Sequence, residues 1–254
     1  MDETSALNWK AGSKLRLPVP VSPNSNRPVG FEENLMLVMF DCDGVLVDSE
    51  VLVTDIHVRA LRACGLDISH DELSERFLGM TDRAMYAELA RDLGRPLPDD
   101  YDARVKAEVV RRSKTELKPI AGGEAAVAAI SGPRCVASSS SERLLHHKLE
   151  ITGLAPLFGN AIFSADAVPH GKPAPDIFLY AADRMGALPP ECIVIEDSEN
   201  GVRAGVAAGM RVIGFVGGGQ VGPDHAERLK EAGAERVITR LDALPSLVAE
   251  AFAS

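Results

Sequence analysis

From Leu35 onward this chain alternates between short, unbroken apolar runs and longer stretches of helical period. LMLVMF (Leu35 to Phe40) is the first run. RCVASS (Arg134 to Ser139), AIFSAD (Ala161 to Asp166), CIVIED (Cys192 to Asp197), RVIGFV (Arg211 to Val216) and RVIT (Arg236 to Thr239) follow. A strand that is apolar on both of its faces is one covered on both sides. Between the runs lie ERLLHHKLEITGL, PDIFLYAADRMG and GVRAGVAAG, which read as helices. Alternation of this kind predicts an α/β fold, a mainly parallel sheet with helices on both faces.

Two regions depart from the alternation. Residues 1–34 contain LPVPVSPNSNRPVG, rich in Pro, Asn and Ser and without a period, which predicts an irregular extension. Residues 54–120 show helical segments and no convincing strand. Ser69 with Glu72 is a capping-box pattern, Met85, Leu89 and Leu93 repeat at i+4, and Asp99 to Leu117 reads as a more polar helix. The expected organisation is an α/β core of residues 35–53 and 121–254, with a helical domain of residues 54–120 inserted after the first strand and LKPIAGG as the return linker.

Bulk properties exclude some partners. A net charge of −10 without a basic cluster argues against a nucleic-acid surface or an anionic membrane. It leaves room for a phosphorylated small molecule, because a metal and a lysine can reverse the field locally. Cys42, Cys64, Cys135 and Cys192 form no CxxC pair and read as reduced thiols, Cys135 and Cys192 in core strands. No apolar stretch reaches the ~18 residues of a membrane helix, and the N-terminus lacks the apolar segment of a signal peptide. The expectation is a cytoplasmic protein, by default a monomer.

The chemistry concentrates where the runs stop. In open α/β sheets ligands bind at the carboxyl ends of the strands. Those ends carry Asp41-Cys42-Asp43-Gly44, Ser138-Ser139-Ser140 and Glu196-Asp197-Ser198, and HGKPAPD holds Lys172 between glycine and proline. Carboxylates gathered in this way repel unless a cation lies among them, and an all-oxygen site suits Mg²⁺. A carboxylate at a strand end can attack phosphorus, and a second one two residues on can move a proton. Lys172 and Ser138 would offset and hydrogen-bond the phosphoryl oxygens. The ordinary alternatives are a turn or cap role for the aspartates and N-capping of the helix at Glu142 by Ser140 or Ser141. His146 and His147 read as helix-face residues, His170 as a solvated loop residue, and Asp48 as a turn acid at the base of the insert.

DCDGVLVDS, the serine of VASSSS, the lysine of GKPAPD and IEDSENG, in that order, closely resemble the four motifs of haloacid dehalogenase superfamily hydrolases. The similarity is to the subgroup of β-phosphoglucomutase-like phosphatases. The resemblance implies a Rossmann-like core with a mobile helical cap. It implies Asp41 as nucleophile and metal ligand, and Asp43 as general acid/base that also binds Mg²⁺ through its backbone carbonyl. It further implies Ser138 as phosphate ligand, Lys172 as the group orienting Asp41 and phosphate, Asp197 as metal ligand, and Glu196 as a metal contact, direct or through water. Dehalogenases proper lack the second aspartate, so Asp43 favours phosphoryl transfer. The mutase branch carries a histidine where Val53 stands, and a basic clamp where FLGMTDR places Leu78 and Asp82, with Arg83 adjacent. Phe77 and Met80 read as packing of the insert. The expected function is hydrolysis of a small phosphorylated metabolite, a sugar or sugar-acid phosphate. A mutase and a non-catalytic binding protein of the same fold are the alternatives.

Overall fold

The computed structural model describes residues 36–77, 82–218 and 222–252. The described strands are β1 (Leu37–Phe40), β2 (Arg134–Ser138), β3 (Ile162–Ser164), β4 (Cys192–Glu196), β5 (Arg211–Phe215) and β6 (Arg236–Ile238). They form one sheet in the order β3-β2-β1-β4-β5-β6, and every pairing is parallel. Each strand matches one of the apolar runs read from the sequence.

The pleat explains why those runs are apolar at every position. Successive side chains point to opposite faces. Leu37, Met39, Cys135, Ala137, Cys192, Val194 and Val212 enter one apolar cluster. Their neighbours Val38, Phe40, Val136, Ile193, Ile195, Ile213 and Phe215 enter the other. Helices α7 (Asp176–Met185), α8 (Glu199–Ala207) and α9 (His225–Glu231) cover the first face. Helices α5 (Gly123–Ala129), α6 (Glu142–Ile151) and α10 (Leu244–Phe252) cover the second. Cys135 and Cys192 are buried in β2 and β4, and all four cysteines are free.

Between β1 and β2 the chain forms α1 (Glu50–Ala63), α2 (His70–Phe77), α3 (Asp82–Leu93) and α4 (Tyr101–Glu116), the helical cap. The Ser69 hydroxyl accepts from the Glu72 amide (3.1 Å), which is half of the expected capping box. Leu89 and Phe77 are buried within the cap. Asp55 on α1 braces three helices: it accepts from Arg112 of α4 (2.5 Å), from Arg59 of α1 (2.8 Å) and pairs with His70 of α2 (3.1 Å).

Where the chain leaves and re-enters the sheet layer, its two crossings bond to each other. The Asp48 amide donates to the Lys118 carbonyl and the Ile120 amide to the Leu46 carbonyl, both at 2.9 Å. The extension of residues 1–34, and Leu78 and Met80, lie outside the described residues.

Burial acts to raise the Asp55 carboxyl, but hydrogen bonds from Arg112, His70 and Arg59 outweigh it and hold it at about 2, below its ordinary 3.8. A depressed carboxyl contributes stability that is present above the unfolded value and lost as pH falls through the folded one. Asp55→Asn should therefore cost about 1 kcal/mol at neutral pH. It should also remove part of the acid-induced loss between about pH 4 and pH 2. Thermal unfolding across that range, wild type against variant, measures both.

Candidate active site

The strand order reverses at β1, whose neighbours are β2 on one side and β4 on the other. A crevice opens beyond the strand ends at such a point. Asp41 follows β1 directly, and Glu196 and Asp197 end the neighbouring strand β4. The gathering of acids at these strand ends follows from topology: strand ends at the switch point are where a site can be built.

Lys172 links the two strands. Its ammonium donates to Asp41 Oδ1 (2.5 Å), Glu196 Oε1 (2.7 Å) and the Ala137 carbonyl (3.0 Å), which uses all three of its protons. The side chain is 5 % exposed and lies over the Phe178 ring, 4.9 Å from its centre. Asp41 Oδ2 meets no donor among the described residues. The Glu196 oxygens are engaged elsewhere: Oε1 by Lys172, Oε2 by the Ser198 amide (3.0 Å) and hydroxyl (2.9 Å). That geometry makes Glu196 the partner of Lys172 and of the loop after β4.

Asp43 sits in a second cluster. It accepts from the Ser49 hydroxyl (2.5 Å), the Ser140 hydroxyl (2.8 Å) and the Lys148 ammonium (2.5 and 2.7 Å). Ser138, 1 % exposed, accepts from the Ser140 amide (3.1 Å) and keeps its own hydroxyl proton to give. Ser140 does not cap α6: it lies one residue before the N-cap, and its hydroxyl donates to Asp43 and accepts from Lys148. Ser141 holds the N-cap position without a side-chain bond, and Asp166 caps the helix by accepting from the Glu142 amide (2.8 Å). His147 is also more than a helix-face residue: its Nε2 meets the Ser113 hydroxyl of α4 (3.1 Å), joining α6 to the cap.

The charges fall into two states. Burial and the charges of Glu196 and Asp43 push the Asp41 carboxyl up, against the pull of Lys172. Burial pushes Asp197 up more strongly, with Glu196, Asp41 and Glu50 adding to it. Burial works the same way on Asp43, yet the Lys148 charge and the bonds from Lys148, Ser49 and Ser140 overcome it and hold that carboxyl low. Among the described residues, the ammonium groups that bond these four carboxyls are those of Lys172 and Lys148, so four ionised carboxylates would leave two negative charges uncompensated. The two carboxyls pushed up are those of Asp41 and Asp197.

Asp197 presents a carboxylate that no donor among the described residues reaches. Gly44, in the left-handed region at φ +74°, lets the loop after β1 pass so close that a Cβ there would overlap that carboxylate. His225 fixes the other side by donating Nε2–H to the Asp197 carbonyl (2.6 Å), while Arg228 donates to its Nδ1 (3.2 Å). Among the described residues no three His, Cys, Asp or Glu side chains surround a common point. Mg²⁺ does not require that. It takes one or two carboxylates and keeps water, and an all-oxygen donor set with two surplus charges fits it.

Comparison with known proteins agrees with this geometry. Residues 35–209 match the family described as haloacid dehalogenase-like hydrolase. The 6-phosphogluconate phosphatase of Escherichia coli K12 is 32% identical over 179 residues, covering 70% of this chain and 81% of that protein. A conserved haloacid dehalogenase-like protein of Agrobacterium tumefaciens superposes with a TM-score of 0.79 at 39% identity, over 85% of this chain and 98% of the other. A hydrolase of the same family from Deinococcus radiodurans, crystallised with bound phosphate and sodium, gives 0.74 at 33%, over 87% and 97%. The chain belongs to the haloacid dehalogenase-like hydrolases. Within them it is a phosphatase of phosphoric monoesters.

The close approach at Gly44 is testable. Gly44→Ala should lower kcat/KM for a phosphate monoester about 100-fold, since the loop or Asp197 must shift. It should also cost about 1–3 kcal/mol of stability for the forced positive φ. Steady-state kinetics and urea unfolding measure the two, and wild-type kinetics would refute the role given to the contact.

Proposed function

We propose that the protein hydrolyses a small phosphorylated metabolite, a sugar or sugar-acid phosphate, in a Mg²⁺-dependent reaction through a phosphoaspartyl intermediate on Asp41. The observation that carries this reading is the Asp41 carboxylate itself. One of its oxygens is tied to Lys172, the other meets no donor, and both stand at the switch point of the sheet.

Asp41, Asp197 and the Asp43 backbone carbonyl would hold Mg²⁺, which when bound supplies positive charge against the phosphoryl oxygens. The remaining chemistry belongs to the chain. Lys172 fixes Asp41 so that Oδ2 points to the phosphorus, and Ser138 donates its hydroxyl proton to a phosphoryl oxygen. Asp41 Oδ2 forms a bond to phosphorus as the bond to the leaving oxygen breaks. Asp43, a carboxylate in the free site, would first take up a proton as the substrate's negative charge enters beside it, and then give that proton to the leaving oxygen. Asp43 then takes a proton from water, whose oxygen bonds to phosphorus while the Asp41–phosphorus bond breaks. Inorganic phosphate leaves and both aspartates return to their starting state.

The substrate class is supported by two observations. The relative that is a 6-phosphogluconate phosphatase acts on a sugar-acid phosphate. In the cap, a hollow of about 150 Å³ is lined by Glu50, Val51, Thr54, His70, Asp71 and Ser74, a wall of mixed character whose polar side chains could meet hydroxyl groups. Glu50 lies within electrostatic reach of Asp43 and Asp197, so the hollow neighbours the strand ends. Residues 54–120 would act as the cap that closes over bound substrate and excludes water. The mutase clamp positions Leu78, with the side chains of Asp82 and Arg83, lie outside the described residues.

A screen of phosphorylated metabolites with Mg²⁺, comparing kcat/KM, tests the reading. Sugar or sugar-acid phosphates should rank first, and chelation should abolish phosphate release until Mg²⁺ is restored. Asp41→Asn should lower kcat by about 10⁴-fold or more with the fold intact. Turnover surviving that substitution would refute the nucleophile.

A further inference from the structure

The ammonium groups divide the two aspartates between them. Lys172 reaches Asp41 and makes no bond to Asp43. Lys148 reaches Asp43 and makes no bond to Asp41. Its Nζ donates to Asp43 Oδ1 (2.5 Å), Asp43 Oδ2 (2.7 Å) and Ser140 Oγ (3.0 Å), so its three protons are all committed. The ammonium comes from the buried face of α6, where Leu145 and Leu149 are fully enclosed, and the lysine side chain is 5 % exposed.

The arrangement around Asp43 is symmetrical. Oδ1 accepts one hydroxyl, from Ser49, and one ammonium proton. Oδ2 accepts one hydroxyl, from Ser140, and one ammonium proton. These bonds arise from three separate places in the chain: the loop before α1, the loop after β2 and the third turn of α6. Two hydroxyls hold one oxygen each. The ammonium meets both oxygens at once and so adds a further restraint on the carboxyl plane. Asp43 is partly exposed and could be solvated by water, so stability alone gives no reason to bury an ammonium beside it.

We propose that Lys148 is a positioning residue for proton transfer by Asp43. The proposal rests on the reading of the site as a phosphatase in which Asp43 serves the leaving oxygen. Lys148 touches neither the nucleophile nor, by its geometry, the phosphoryl group; it acts through the orientation of Asp43.

The experiment compares two leaving groups. The phenolate of p-nitrophenyl phosphate departs without a proton, whereas the alkoxide of a sugar phosphate needs one. kcat/KM is measured on both for the wild type, Lys148→Met, Ser140→Ala and Asp43→Asn, with thermal unfolding of each. Lys148→Met should lose about 100-fold on the sugar phosphate and less than about 5-fold on p-nitrophenyl phosphate. Ser140→Ala should show the same bias at smaller size, and it decides the matter if Lys148→Met does not fold. Asp43→Asn should show the bias at its fullest. Equal losses on both substrates in the Lys148 or Ser140 variant, while Asp43→Asn keeps its bias, would overturn the role of Lys148 alone. A wild type inactive on both substrates, or an Asp43→Asn variant without bias, would overturn the underlying reading and the proposal with it.

Discussion

One buried ammonium, that of Lys172, holds together the strand ends from which the site is made. Asp41 and Glu196 lie on adjacent strands and repel each other, and neither can be relieved by bulk water. Lys172 stands between them with a bond to each and a third to the Ala137 carbonyl of β2. Three neighbouring strands, β2, β1 and β4, are thus tied at one point. A buried pair of this kind adds little to net stability, because desolvation offsets the attraction. What it supplies is position: the loop carrying Lys172, 131 residues from Asp41 in the chain, has one place to go.

Much of this was legible in the sequence, and the reasons are physical. Strands covered on both faces must be apolar throughout, so LMLVMF and CIVIED were visible without any alignment. The acids at their ends stood out because a charge directly after such a run has to face a cavity. The order of the strands placed those ends together. Asp41, Asp43, Ser138, Glu196 and Asp197 lie where the runs stop, Lys172 lies in the loop before α7, and the structure brings Lys172 to Asp41 and Glu196.

Other parts were hidden because they depend on where helices sit. Lys148 reads as an ordinary helix lysine until its neighbours are counted: Leu144, Leu145 and Ile151 flank it at i−4, i−3 and i+3, which puts it on the apolar face. That was the available signal. Ser49 carried none, being one polar residue in a turn. Ser140 looks like a cap for the following helix, but it lies one residue before the N-cap position, and its hydroxyl donates to Asp43 and accepts from Lys148. Glu196 and Asp197 look equivalent in sequence, but the structure gives Glu196 to Lys172 and leaves the Asp197 carboxylate without a donor among the described residues.

The paired crossings between sheet and cap carry a further consequence. Leu46 to Asp48 and Lys118 to Ile120 run side by side and share backbone hydrogen bonds, so they behave as one short ribbon and not as two independent tethers. A second tie lies between α4 and α6, where the Ser113 hydroxyl meets His147, so the cap is held to the core at two places. Ser49 and Glu50 follow the ribbon directly, so the placement of the ribbon also places the hydroxyl that bonds Asp43.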